Sequence, residues 1–173
     1  MRPARSRAAL DAAGLSCEIV GGAGTGTFRI EAAAGIWTEL QPGSYVFMDR
    51  EYAEIEGASG RPEPEFEHAL FVLAGVISRS ETRAVADAGL KSMSAEKGLP
   101  LLHGVADAEV VGISDEHSVV ALASGDTRLS LGDKVRLIPG HCDPTVNLHD
   151  WIVGVREGRV EEIWPVAARG ASN

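Results

Sequence analysis

Residues 15–49 read as strand, glycine-rich loop, helix and strand, and that order constrains the chain more than any other feature. "LSCEIV" is a short apolar strand that runs into "GGAGTGT" at residues 21–27. "FRIEAAAG" follows as a weak helix, and "WTELQPGSYVFMD" carries β-type residues around a Pro-Gly turn. Ahead of them "RSRAALDAAG" is Ala-rich and helical, with Gly14 placed to end it. This is a βαβ pattern, and a parallel sheet must be covered on both faces. Two strands and two helices cannot close such a sheet. The segment is therefore expected to belong to something larger.

The character changes near residue 60. "EGASGRPEPE", residues 56–65, reads as a linker or exposed loop. Beyond it the pattern is all-β. "HALFVLAGVISR" and "TRAVADAGL" read as paired strands. "AEVVGISDEHSVVALA" reads as a hairpin turning at residues 114–116. "DKVRLIPG" is a further strand, and "DWIVGVREGRVEEIWPVA" a hairpin turning at Glu157 and Gly158. The expected organisation is α+β, with residues 1–58 as the βα part and 59–173 as a mostly antiparallel β-domain. Hydrophobic residues make up 45% and aromatics only 5% of 173 residues, so the core must be aliphatic.

A formal net charge of −9 argues against nucleic acid as a partner, because phosphate binding needs a basic surface. No run of eighteen apolar residues occurs, which predicts no membrane span. The opening "MRPARSRAALDAAG" has arginines but no apolar core, so a secretory leader is not expected. Two cysteines far apart, Cys17 and Cys142, fit a reducing cytoplasm.

Chemistry-bearing residues concentrate in "PGHCDPTVNLHDW", residues 139–151. In an extended chain His141 and Asp143 would share one side, with Cys142 on the other. Imidazole nitrogen with carboxylate oxygen suits Mn²⁺, Zn²⁺ or Fe²⁺, and two ligands leave room for water and substrate. Cys142 is the rival ligand and would favour Zn²⁺. His149 and Asp150 are further candidates, though a strand start more often holds solvated groups. Glu116 and His117 fall at a hairpin tip, where a solvated turn is the ordinary reading. In "DAGLK", Asp87 and Lys91 predict a structural ion pair. Trp151 and Trp164 are expected to pack between the last strands. "GGAGTGT" offers backbone amides and two threonine hydroxyls to a phosphate, but no Lys-Ser/Thr follows, so it is not a Walker loop.

Taken in order, "CEIVGGAGTGTF", "TELQPGSYVFMD", "DAGLKSMS", "DEHSVV" and "RLIPGHCDPTVNLHDWIVGVREGRVEEIWPV" resemble the C-terminal half of D-threonine aldolase and its relatives. These relatives include eukaryotic-type D-serine dehydratases and hydroxyaspartate dehydratases. The resemblance implies an alanine racemase-like fold, a PLP-binding (β/α)₈ barrel followed by a β-domain. Residues 1–58 would then be the last βα units of the barrel, with its N-terminal part absent. It implies that Gly22, Gly24, Thr25, Gly26, Thr27 and Tyr45 serve the PLP phosphate end. It implies a divalent-metal site at His141 and Asp143, Mn²⁺ or Zn²⁺, because H-x-D is the aldolase form and H-x-C the dehydratase form. The implied substrates are D-3-hydroxy amino acids. The family's Schiff-base lysine has no counterpart, since Lys91, Lys97 and Lys134 all lie in the β-rich part. The chain is thus expected to be inactive alone and to need a separate N-terminal barrel half or a homodimer partner. The alternatives are a D-serine or 3-hydroxyaspartate dehydratase of the same family, or a non-catalytic remnant or metal-binding β-domain.

Overall fold

A computed structural model describes residues 2–57, 59–62 and 64–171. It divides into two compact units, Met1–Val46 and Phe47–Asn173.

In the first unit, helix α1 (Arg2–Ala12) stops where the sequence predicts. Leu15 N–H reaches Leu10 O and Gly14 N–H reaches Asp11 O, both at 3.0 Å, and Gly14 has φ +72°. That is a Schellman cap, and the left-handed φ favours glycine. Strands β1 (Gly21–Gly22) and β2 (Glu39–Leu40) pair in parallel around helix α2 (Phe28–Ala33), which gives the expected βαβ order. The strands are much shorter than "LSCEIV" and "WTELQ" suggest. Thr38 is the reason on one side: its Oγ1 accepts from Val20 N–H at 2.8 Å and donates to Glu18 O at 3.3 Å. A side chain thus takes backbone groups that a ladder would otherwise use. After Pro42 and Gly43 the chain forms a 3₁₀ turn, Ser44–Val46, and not a second strand.

Among the described residues, every buried hydrophobic side chain belongs to Phe47–Asn173, whereas Ile19 and Ile30 are 73% and 67% exposed. Two-residue strands without an apolar core open easily. Amide exchange over residues 15–46 is therefore expected to be faster than over the β-rich unit by at least tenfold. Equal protection in hydrogen–deuterium exchange would contradict this.

In the second unit a short helix α3 (Arg50–Ala53) precedes β3 (Val72–Arg79), β4 (Arg83–Ala86), β5 (Leu101–Leu102), β6 (Glu109–Ile113), β7 (Ser118–Ala121) and β8 (Lys134–Ile138). Between α3 and β3 the linker expected over residues 56–65 is a loop closed by Gly57 N–H to Arg61 O at 2.9 Å. Ala58 and Glu63 of that segment, and with them the expected boundary at 58, lie outside the described residues. The strands form one antiparallel sheet in the order β5-β8-β3-β4-β7-β6. Edge strands β5 and β6 approach one another, so the sheet curls towards a barrel. Irregularities between Val76 and Ser78 and between Val110 and Gly112 add curvature. Alternation sets the faces: Val72, Ala74 and Val76 are buried, while Leu73 and Ile77 point out. Ala84, Ala86, Val110, Val120, Val135 and Leu137 complete an aliphatic core, with Met93 closing one side. Each large aliphatic side chain buried this way contributes roughly 1.5–3 kcal/mol.

A helix α4 (Cys142–Asn147) links β8 to the final hairpin, β9 (Trp151–Arg156) and β10 (Arg159–Pro165). Glu157 and Gly158 both take positive φ, +50° and +75°, the geometry of a tight hairpin turn. Two expectations fail in this unit. Trp151 and Trp164 are not packed away but 59% and 51% exposed. Cross-strand register places Trp151, Val153 and Val155 opposite Pro165, Ile163 and Val160, and that whole apolar face is exposed. Among the described residues the two-stranded ribbon pairs with no further strand. Asp87 and Lys91 do not pair either. Asp87 Oδ1 accepts from Gly75 N–H at 2.6 Å, and Lys91 Nζ reaches Glu116 Oε1 at 2.7 Å. The chain turns at Gly89 against the β6–β7 hairpin, where an added Cβ would stand 2.3 Å from Ser114 O. That turn sends the two side chains to different neighbours.

Candidate functional site

Gly140 opens the segment that carries His141. Its N–H donates to Ser94 O at 3.0 Å, and a Cβ there would stand 2.2 Å from Gly98 O. Glycine is therefore required by close backbone approach. On the other side, Arg50 N–H donates to Pro139 O at 3.1 Å. His141 forms an isolated bridge with Ser94 and is the extended N-cap residue of α4, with φ −144° and ψ 126°. Thr145, 1% exposed, donates its hydroxyl to His141 O at 2.7 Å and accepts from Ser94 N–H at 3.0 Å. These bonds fix the loop at residues 94–98 against residues 139–145.

The segment is not a continuous strand, as the spacing argument assumed. It turns into α4 at Cys142, which proline at position 144 tolerates in a helix's first turn. His141 and Asp143 nevertheless stay together, with Nε2 3.9 Å from Oδ2. Cys142 does not point away from Asp143, as an extended chain would have it. Its residue is 0% exposed, its N–H donates to Asp49 Oδ2 at 2.8 Å, and its Sγ donates to Asp143 Oδ1 at 3.1 Å.

Ligands about 2.1 Å from one metal ion lie roughly 3.0–3.4 Å apart at ordinary angles. The 3.9 Å gap is wider than that, so placing both on one ion would require the Asp143 side chain, 69% exposed, to move. The donor chemistry thus fits a two-ligand, open divalent site. Among the described residues no cluster of three or more His, Cys, Asp or Glu could hold a metal. His149 and Asp150 are occupied elsewhere: His149 Nε2 meets Ser92 O at 2.7 Å, and Asp150 Oδ1 pairs with Arg169 Nη1 at 2.7 Å.

Two residues at this site carry no sequence signal strong enough to single them out for it. Glu96 Oε1 lies 2.5 Å from His141 Nδ1. Asp49, 0% exposed, binds Cys142 N–H through Oδ2 and caps α3 through Oδ1 to Tyr52 N–H at 3.1 Å. An aspartate before a helix is a readable cap; its second bond spans ninety-three residues and is not. An open cleft of about 490 Å³ adjoins the site, lined by Leu90, Met93, Ser94, Ala95, Glu96, Pro144 and Leu148.

The glycine loop belongs to the first unit. Thr27 and Phe28 N–H groups both reach Gly24 O, at 3.1 and 3.0 Å, which makes a tight turn into α2. Thr25 is buried, and its Oγ1 accepts from Tyr45 N–H at 3.1 Å, which brings two of the expected cofactor residues together. Thr27 Oγ1 donates to Glu31 Oε2 at 3.0 Å. Gly24 has open space where a Cβ would point, whereas a Cβ at Gly22 would meet the Trp37 ring at 2.4 Å. The loop thus offers glycine backbone and hydroxyls of the kind a phosphate takes, with Gly22 needed for packing.

The three lysines all have other roles. Lys97 Nζ meets Glu51 Oε1 at 3.1 Å, and this hydrogen bond and charge raise its pKa above the ordinary lysine value. A nucleophilic amine needs the opposite shift. Lys91 is held by Glu116, whose carboxyl the same hydrogen bond pushes down. Lys134 pairs across the sheet at Gly75, with its ammonium near that glycine and Asp87.

Residues 69–155 match the family model described as "Putative serine dehydratase domain". The chain is 51% identical over 165 residues to the 3-hydroxy-D-aspartate aldolase of Paracoccus denitrificans (strain Pd 1222), covering 94% of this chain and 42% of that protein. The crystal structure of D-threonine aldolase from Filomicrobium marinum superposes with a TM-score of 0.91 at 46% identity, over 99% of this chain and 47% of that one. An uncharacterised protein of Mycobacterium tuberculosis (strain ATCC 25618 / H37Rv) is 32% identical over 115 residues, 61% of this chain and 86% of that protein. More distant neighbours described as alanine racemase-like share the fold alone. The chain therefore spans less than half of the two aldolases it matches, and it has the α+β fold of that portion. On the span and identity of these matches, the chain belongs to the serine dehydratase domain family, alongside the D-3-hydroxy amino acid aldolases.

Proposed function

We propose that this chain is the C-terminal portion of a PLP- and divalent-metal-dependent lyase that cleaves D-3-hydroxy amino acids. The carrying observation is the His141–Asp143 pair, held 3.9 Å apart on a loop tied down from both sides. The names of the aldolase relatives support the substrate class. In this reading residues 1–58 contribute the last βα units of the cofactor barrel and residues 59–173 the β-domain.

His141 Nε2 and the Asp143 carboxylate would hold a divalent ion, Mn²⁺ first and Zn²⁺ second. When bound, the ion would supply Lewis acidity towards a substrate β-hydroxyl and PLP an electron sink for Cα–Cβ cleavage. Gly24, Thr25, Gly26 and Thr27 receive the cofactor's phosphate end, with Tyr45 placing Thr25 and Gly22 seating the loop on Trp37. Asp143 in place of a thiolate keeps the donor set hard, which suits Mn²⁺. In this reading Cys142, buried and with its Sγ donating to Asp143 Oδ1 at 3.1 Å, holds that carboxylate and is not itself a ligand. A dehydratase of the same family is the alternative, and it would enlist Cys142.

Titration with Mn²⁺ tests the ligands. His141→Ala and Asp143→Ala should each weaken binding at least several-fold, while Cys142→Ser keeps most of the affinity. Equal affinity in wild type and His141→Ala would remove the site. A loss in Cys142→Ser as large as in Asp143→Ala would move the assignment to a His/Cys site and to dehydration.

A second reading has its own support. The β-rich unit has a core of its own, and a short uncharacterised relative is covered for 86% of its length. In that reading the chain is a non-catalytic metal-binding domain.

A further inference from the structure

We propose that Glu96 is a positioning residue for the metal ligand: its carboxylate accepts a hydrogen bond from Nδ1–H of His141 and so presents Nε2, unprotonated, to the cation. This rests on the metal reading above and extends it. The two nitrogens of one imidazole point away from each other, and the two carboxylates divide them. Glu96 Oε1 is 2.5 Å from Nδ1, and Asp143 Oδ2 is 3.9 Å from Nε2. Glu96 therefore cannot join Asp143 on the same ion while holding Nδ1. Its contact instead has the form of a carboxylate–histidine–metal relay, in which an outer carboxylate selects the tautomer and raises ligand basicity.

The placement of Glu96 is built into the backbone. Ser94, two residues before it, bridges His141 and accepts from Gly140 N–H at 3.0 Å. Glu96 N–H donates to Ser94 Oγ at 3.4 Å, and Gly98 O lies against Gly140 so closely that no Cβ fits. The loop carrying Glu96 and the segment carrying His141 thus move as one piece. An ordinary surface ion pair has no such support and is worth little. Glu96 is half exposed and His141 only 19% exposed, so truncating Glu96 leaves the fold intact while opening Nδ1 to water.

The full chain serves for the test, with Mn²⁺ alone as the probe. Glu96→Ala should weaken Mn²⁺ binding about tenfold, the low end of the range for outer-shell partners. Glu96→Gln keeps an oxygen in reach of Nδ1 without the charge and should fall between. The second readout needs no metal: ¹⁵N NMR of the His141 ring at alkaline pH. Wild type should show the Nδ1–H tautomer, and Glu96→Ala a shift towards Nε2–H. Unchanged affinity in Glu96→Ala overturns the proposal, and so does a weakened affinity with an unchanged tautomer. Wild type and His141→Ala binding Mn²⁺ equally would instead sink the metal reading, whatever the tautomer does.

Discussion

With PLP and Mn²⁺ supplied, the 173-residue chain by itself is expected to cleave neither D-threonine nor D-phenylserine and to show no Schiff-base absorbance. The argument lies in its lysines. Lys97 is kept protonated by Glu51, Lys91 is held at a hairpin tip by Glu116, and Lys134 lies on β8 over Gly75. None has the desolvated or cation-flanked surroundings that make an amine nucleophilic at neutral pH. The glycine loop also offers only the phosphate end of a cofactor. Its two-residue strands give little preorganisation, and binding must pay the ordering cost. Supplying a lysine-bearing barrel half from one of the aldolase relatives, fused or as a second chain, should restore metal-dependent cleavage. Absorbance and aldehyde release report on both. Turnover by the chain alone would overturn the reading, and an inert fusion with bound PLP would favour the non-catalytic domain.

Asp49→Ala should destabilise the β-rich unit by about 3 kcal/mol, because it strips the acceptor from one buried and one half-buried N–H group. Oδ1 serves Tyr52 in the first turn of α3, and Oδ2 serves Cys142 in the first turn of α4. The residue's own carbonyl also meets His68 Nε2 at 3.2 Å. One fully buried residue thus contacts Tyr52, Cys142 and His68, the first two through its carboxyl. Asp49→Asn retains one acceptor oxygen and should lose less. Urea denaturation gives the values, and Mn²⁺ affinity should fall along with them, since Cys142 adjoins His141. A change below about 0.5 kcal/mol in Asp49→Ala, the range of ordinary surface substitutions, would show that the two bonds do not matter.

Local rules were enough for much of this protein. Gly14 had to end a helix because only glycine takes φ +72° without strain. Glu157 and Gly158 had to turn a hairpin, and Val-rich alternation had to make an antiparallel sheet with an aliphatic core. The H-x-D spacing does keep His141 and Asp143 neighbours, with Nε2 3.9 Å from Oδ2, but not in the geometry it implies. An extended strand was assumed, and the pair instead straddles a helix start, where the extended N-cap keeps His141 near Asp143. Other features depend on distant residues and have no local pattern. Thr38 shortened the parallel strands by taking Val20 N–H, and the turn at Gly89 gave Lys91 to Glu116 and not to Asp87. The exposure of Trp151 and Trp164 goes with a ribbon that, among the described residues, pairs with no further strand. Glu96 meets His141 across forty-five residues, and Asp49 meets Cys142 across ninety-three. Periodicity and spacing carry information over one or two turns, so the sequence could name His141 and Asp143 as candidate ligands. Only chain closure over those longer separations could decide what orients them.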